Sequence, residues 1–373
     1  MPNFTVVARN HMDLTWRRCF ESYFTYGGHV IRPYAEIEEH QLDWWLDVGC
    51  ESGMVYEIEQ TITIRKYLER NPSRAKRVKE LADSGKLRFL GGGEAVIDYN
   101  MTDGESIVRN HFYSRRYLAK NYGVTPKFAA CPDTFGLSAG LPQFFRQLGY
   151  PAIALFNRLF RDGKPVWEGI SGHQVAIETA KYPDARFPEG TKYPACTACC
   201  GEGCAVCHGA GIDINYRYQG KHLDQEFSSQ MPVTEGDLVF LQGSEELIES
   251  DNLMANLQAY ADENGYTLKF AGCEDVIEER YAGLLKAVRE GTVPPEWIDD
   301  RPEGNPFATG CCVSRIRIKQ ENRRLEAALQ SAERLCALAR SITGADYPAE
   351  TLEQLWITMR CRHPIQMRRM RNL

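Results

Sequence analysis

Through most of the chain, short apolar runs rich in β-branched residues alternate with longer stretches whose apolar positions recur at helical spacing. Phe4 to Ala8, Gly53 to Ile58, Lys86 to Leu90, Lys127 to Cys131 and Ala152 to Phe156 read as strands. Gln174–Ile177, Leu238–Leu241 and Leu268–Phe270 read as later ones. Helices are expected over Glu36–Leu46, Thr61–Arg70, Asn71–Ser84, Asp103–Tyr122, Gly140–Leu148, Leu253–Asn264 and Glu274–Glu290. Asn71 suits an N-cap, Pro72 a first turn and Gly85 a stop. Residues 17–33 show no clear period and are expected to form a loop and a short helix. Strands alternating with helices predict an α/β fold of parallel βαβ units, a barrel or a doubly wound sheet. In both, reactive residues gather at the C-terminal ends of strands.

The period changes near Ser314. Ile316, Leu325, Ala328, Leu329, Leu335 and Leu338 form a helical stripe through an Arg/Glu-rich stretch, which predicts one long helix over 312–341. Ala349–Met359 reads as a second helix. The prolines 294, 295, 302 and 306 mark the linker between the two parts. The expected division is an α/β domain over 1–293, a partial helical bundle over 307–359 and an atypical basic tail over 360–373.

Composition adds little but excludes some functions. A net charge of −6 gives no general electrostatic case for nucleic acid or an anionic membrane. No apolar run of membrane-spanning length is present, and no signal-like segment precedes the first strand, so a cytoplasmic location is expected. Of 13 cysteines, five fall between Cys196 and Cys207, which points to a metal site rather than disulfides.

Three strand ends carry candidate chemistry. Val6–Ala8 leads into Arg9-Asn10-His11-Met12-Asp13, and in extended backbone positions two apart face the same way. His11 and Asp13 would therefore project together, either as a hydrogen-bonding pair or as half of a divalent-metal site. Asp133, in Pro132-Asp133-Thr134-Phe135-Gly136, is either a turn or N-cap aspartate or a third carboxylate of the same site. Glu245 and Glu246 follow the strand at 238–241 and fit a helix start or an acid pair. Carboxylates in different environments can divide acid and nucleophile roles. A separate pattern, Cys-x-x-Cys-x-Gly-x-Gly, occurs twice in tandem from Cys196 to Gly211. Cys196, Cys199, Cys204 and Cys207 form the ligand set of a closed structural zinc site, with Cys200 and His208 as spares. These knuckles resemble DnaJ-type cysteine-rich modules and define an insertion over 190–213.

Several of these motifs together resemble the N-terminal part of glycoside hydrolase family 38, the retaining α-mannosidases. They are His11-Met12-Asp13-Leu14-Thr15-Trp16, Gly91-Gly92-Gly93, the 104–109 segment Gly-Glu-Ser-Ile-Val-Arg, 132–136 with Leu141-Pro142-Gln143, and 314–324. The resemblance implies an irregular parallel β/α barrel, here with a zinc-knuckle insertion, followed by the start of a helical bundle. It implies a catalytic zinc held by His11, Asp13 and Asp133, with Asp133 also the nucleophile at the anomeric carbon. Zinc would hold the 2- and 3-hydroxyls of a terminal mannose. Glu245, or Glu246, would be the acid/base, and Trp16 a sugar-stacking wall. The expected cofactors are two Zn²⁺ ions, one catalytic and one structural, and the expected substrate is an α-mannoside or oligosaccharide.

The resemblance fails near the end of the chain. The family's further zinc-ligand histidine follows a Leu-Trp stretch. Leu355-Trp356 is present, but His363 sits in Arg360-Cys361-Arg362-His363-Pro364, where Pro364 would interrupt a helix. Residues 360–373 hold five arginines and no acids, as a shifted reading frame or a truncated gene would give. The family's C-terminal β-domains, which help build the cleft, are not in this sequence. Three functions follow as expectations: a zinc-dependent retaining α-mannosidase, including an inactive N-terminal fragment of one; a non-catalytic zinc- or carbohydrate-binding remnant; or a metal-dependent sugar deacetylase.

Overall fold

The computed structural model describes residues 1–14, 18–26, 28–132, 134–155, 164–178, 202, 230–231, 238–242, 253–299, 301, 310–313 and 316–361. In chain order these form β1 (Asn3–Arg9), β2 (Phe24–Tyr26), β3 (His29–Ile31), α1 (Tyr34–Trp44), β4 (Tyr56–Ile58), α2 (Thr61–Arg70), α3 (Ala75–Asp83) and β5 (Leu87–Phe89). Then come α4 (Gly104–Tyr122), β6 (Ala129–Ala130), α5 (Leu141–Gln147), β7 (Ala152–Ala154), β8 (Val166–Glu168), β9 (Gln174–Glu178), β10 (Gln230–Met231) and β11 (Leu238–Gln242). The remainder is α6 (Leu253–Glu263), β12 (Thr267–Phe270), α7 (Cys273–Arg280), α8 (Ala282–Glu290), β13 (Ile298–Asp299), α9 (Gly310–Val313), α10 (Ile316–Thr343) and α11 (Ala349–Cys361).

The result is a mixed α/β fold built on two largely parallel sheets. One has the order β10-β11-β1-β4-β5, with β12 also pairing β1, and the other β13-β8-β9-β7-β6. A parallel bridge between Gly91 and Ala129 links them, and the Ala130 N–H donates to the Gly91 carbonyl (3.1 Å). Strands β11, β1, β4, β5, β6, β7 and β9 therefore run the same way, with their C-terminal ends on one rim. No pairing among the described residues joins β9 to β11.

β1 shows why the first apolar run is continuous rather than alternating: both of its faces are covered. Phe4, Val6 and Ala8 pack with Leu42, Ile64, Tyr67, Val78, Leu81 and Leu257 from the helices α1, α2, α3 and α6. Val7 points the other way and joins Val276, Ile277, Leu284 and Leu285 of α7 and α8. Burying each such side chain is worth about 1.5–3 kcal/mol.

Several expectations are corrected. Part of the 17–33 stretch forms the antiparallel hairpin β2–β3, not a loop and short helix. Asn71 makes no side-chain cap bond, and a 3₁₀ turn, Pro72–Arg74, precedes α3. The helix expected over 274–290 divides at Tyr281, whose φ of −112° and ψ of 19° leave the helical region. By contrast, Asp103 caps α4 by accepting from the Ser106 N–H (2.7 Å), and Gly123 ends that helix at φ 70°. The Cys-rich insertion lies outside the described residues except for Glu202, as does the tail beyond 361.

The two C-terminal helices dock on α4. Arg109 forms a bidentate pair with Glu333 of α10 (2.7 and 2.6 Å) and lies over the ring of Trp356 of α11, 4.7 Å from its centroid. Trp356 is fully buried, and its Nε1–H donates to Glu333 (3.0 Å). Gln330 of α10 donates to Asp103 (2.7 Å). The 104–109 motif thus supplies the seat for the helical hairpin. Leu335, Leu338 and Ile342 of α10 remain exposed. No helix among the described residues is long and apolar enough to cross a membrane.

Candidate active site

His11 and Asp13 follow β1 directly and keep its alternation. Met12 and Leu14 turn into an apolar cluster with Phe20, Tyr34, Leu329, Trp356, Ile357 and Met359. His11 and Asp13 turn the other way and are almost fully buried. His11 Nε2 lies 3.3 Å from Asp13 Oδ1.

The partner of His11 comes from the next strand. β4 pairs β1 in the register Ala8↔Tyr56 and Arg9↔Glu57, so continuing it by two residues sets His11 opposite Glu59. There the His11 Nδ1–H donates to Glu59 Oε2 (2.6 Å), because a carboxylate can only accept. Arg9, two residues before His11 on the same face, forms an ion pair with Glu59 Oε1. Gln60 secures the next position: its amide donates to the Met12 carbonyl (2.6 Å), and its oxygen accepts from the Val96 N–H (2.8 Å). The Trp45 Nε1–H donates to Asn10 Oδ1 (3.1 Å).

The Gly91-Gly92-Gly93 run has a steric cause. A Cβ on Gly91 would come closer than 3.0 Å to the Phe128 carbonyl oxygen, and one on Gly92 closer than 3.0 Å to that of Glu59. Gly93 takes φ +81° against the Asn110 side chain, whose amide donates to the Ala95 carbonyl (2.9 Å). Glycine here lets the chain leaving β5 lie against the backbone that carries Glu59.

A second acid lies beside this pair. Glu57 shares the β4 face of Glu59, is fully buried and accepts from the Cys273 N–H at the start of α7 (2.8 Å). Burial pushes its carboxyl up to about 8, opposed by the Cys273 hydrogen bond and by Arg88 and Arg9. The folded state then holds a proton that the unfolded chain releases near 4.5, so this group costs stability as pH rises from about 4.5 to about 8. Glu57→Gln keeps the acceptor and removes the titration. Urea unfolding across that range should show a flatter fall in stability for the variant than for the wild type; equal slopes would disprove the assignment.

Asp133, Trp16, Glu245, Glu246, His363, Cys196, Cys199, Cys200, Cys204, Cys207 and His208 lie outside the described residues. Cys131 and Thr134 lie just past the end of β6, where the Cys131 N–H donates to the Ala154 carbonyl (2.8 Å) and Thr134 is fully buried. That end is on the rim that carries His11. Among the described residues no group of three or more His, Cys, Asp or Glu forms a metal-holding cluster. His11 and Asp13 fit half of a zinc site. Ligands about 2.0–2.1 Å from a tetrahedral zinc stand about 3.3–3.4 Å apart, the spacing of His11 Nε2 and Asp13 Oδ1 (3.3 Å). A histidine whose other nitrogen is held by a carboxylate is the usual form of a zinc ligand.

The chain is similar to several known α-mannosidases. The chain is 28% identical over 163 residues to lysosomal alpha-mannosidase of Dictyostelium discoideum, covering 43% of this chain and 16% of that protein. It is 25% identical over 276 residues to alpha-mannosidase of Saccharomyces cerevisiae, covering 72% of this chain and 23% of the relative. The fold matches the crystal structure of an alpha-mannosidase from Enterococcus faecalis with a TM-score of 0.66 at 19% identity, over 98% of this chain and 38% of that one. The chain thus spans well under half the length of these relatives. The model of the glycosyl hydrolases family 38 N-terminal domain matches residues 1–265, and with most of its length inside that match the chain belongs to this family.

Proposed function

We propose that this chain carries the catalytic domain of a zinc-dependent, retaining α-mannosidase that removes terminal mannose from glycans or oligosaccharides. The observation that carries this is the 3.3 Å approach of His11 Nε2 to Asp13 Oδ1 at the strand-end rim of a family 38 domain. His11, Asp13 and Asp133 would hold the zinc. When bound, it would fix the hydroxyls of the terminal mannose and favour a distorted, oxocarbenium-like ring. Asp133 attacks the anomeric carbon, and the bond to the leaving oxygen breaks as Glu245, or Glu246, protonates that oxygen. The same acid, now a base, takes a proton from water as the glycosyl–Asp133 ester is hydrolysed. Retention requires carboxyls roughly 5–5.5 Å apart. The two sheets would close into an irregular barrel, with Trp16 walling the sugar site.

A mannose-type fluorosugar tests this by trapping the ester. A covalent adduct on the peptide holding Asp133 is expected. Turnover without any adduct, together with release of acetate from acetylated sugars, would instead identify a metal-dependent deacetylase.

The reading includes a second, structural zinc on Cys196, Cys199, Cys204 and Cys207, supported by the tandem Cys-x-x-Cys spacing. Purified protein is then expected to hold two zinc ions per chain. A single zinc that disappears when these cysteines are replaced would overturn the catalytic-site assignment.

A further inference from the structure

We infer that Glu59 is a positioning residue for the metal ligand His11, and that Arg9 holds Glu59 in place. The inference rests on the zinc-site reading above and adds the residues that aim it. The three side chains form a linear relay: Arg9 to Glu59 Oε1, and Glu59 Oε2 to His11 Nδ1 at 2.6 Å. Arg9, Glu59 and His11 are each at most 4% exposed, so water does not compete for these bonds.

The relay does two things. An acceptor at Nδ1 selects the tautomer whose proton is on Nδ1, which places the Nε2 lone pair on the side of Asp13. It also fixes the ring plane, because Glu59 is itself tied at its second oxygen and on its backbone. That backbone lies against Gly92, and the next residue, Gln60, holds the carbonyl of Met12 between the two ligands. A buried Arg–Glu pair adds little to stability on balance. Its place under a ligand histidine is explained by orientation instead.

The design uses strand geometry. Arg9, His11 and Asp13 share one face because they are spaced by two. The parallel register of β4 brings Glu59 level with His11 with no loop between them. The ligand is thus held by two adjacent strand ends, which are stiffer than loops.

Cobalt(II) uptake by the whole 373-residue chain tests the inference. Cobalt at a nitrogen–oxygen site gives weak visible bands, whereas cobalt on thiolates adds intense near-ultraviolet charge-transfer absorption, so the two proposed metal sites report separately. Chelator competition on Glu59→Gln should show the nitrogen–oxygen site weakened on the order of 10- to 100-fold, with the thiolate site unchanged. Glu59→Gln leaves Arg9 without its counter-charge. The double variant Arg9→Met/Glu59→Gln removes both charges and should weaken the same site by a similar factor while folding. Long-range ¹⁵N–¹H spectra of the metal-free wild type should show the His11 proton on Nδ1, and the variants should show a mixture of tautomers. Wild-type affinity and an unchanged His11 tautomer in a folded variant would overturn the positioning role. Failure of the wild type itself to bind cobalt at a nitrogen–oxygen site would overturn the zinc reading instead, so the two failures are distinct.

Discussion

Replacing His11 by alanine is expected to abolish cobalt binding at the nitrogen–oxygen site and to cut α-mannoside turnover on the order of 10³-fold. Loss of one preorganised electrostatic group at a reacting centre commonly costs 10²- to 10³-fold, and 10³-fold corresponds to about 4 kcal/mol. On the proposed zinc reading the larger end applies, because the change would remove a ligand and with it the charge that the ligand set would bring to the sugar. The fold should survive. His11 sits past the end of β1, and Glu59 keeps its ion pair with Arg9. Circular dichroism and the cobalt–thiolate absorption should therefore match the wild type while the nitrogen–oxygen bands vanish. Asp13→Ala should behave in the same way, since its carboxylate is the second donor at the 3.3 Å spacing. Undiminished turnover in either variant would remove the site from the mechanism.

Gly92→Ala is expected to destabilise the protein by about 3 kcal/mol and to weaken the proposed metal site as well. The new methyl group would lie closer than 3.0 Å to the Glu59 carbonyl oxygen, and 3.7 Å from that of Ala130. Both are backbone atoms, so no flexible side chain can move aside and the strand ends themselves must separate. Overpacking of this kind typically costs about 1–3 kcal/mol and occasionally more. The displaced segment carries Glu59, so loss of metal affinity should accompany loss of stability. Gly91→Ala separates the two effects: its methyl would meet the Phe128 carbonyl at the bridge between the sheets and not Glu59. It should destabilise without the same change at His11. Gly104→Ala meets nothing within 4 Å and opens α4, so it should be neutral or slightly stabilising. Equal denaturation midpoints for Gly92→Ala and Gly104→Ala would contradict the steric account.

How much was legible varies by residue. The orientation of His11 and Asp13 was readable because strand alternation is a local rule that two residues suffice to express. Asp103 as the start of α4 was readable for the same reason: its cap bond reaches only three residues along the chain. Glu59 was missed because its partner is 48 residues away, and no local pattern states which strand lies beside β1. A signal did exist. In Tyr56-Glu57-Ile58-Glu59 acids alternate with apolar residues, which is unusual for a strand that must be buried on both faces. Arg109 also looked like part of a motif without a stated task. Its pairing with Glu333 spans 224 residues and becomes visible only when the helical hairpin is in place.

The sequence by itself determined the strand–helix alternation, the two-residue spacing of His11 and Asp13, and the family. Each rests on periods and motifs carried by adjacent residues, which act before any long-range contact forms. Tertiary structure alone decided the rest. It set β4 beside β1 in the register that brings Glu59 to His11, and joined the two sheets at Gly91 where only glycine fits. It also laid Trp356 under Arg109 so that α11 packs against Met12 and Leu14. Register and docking follow from burying many side chains at once, and no short stretch of chain contains that sum.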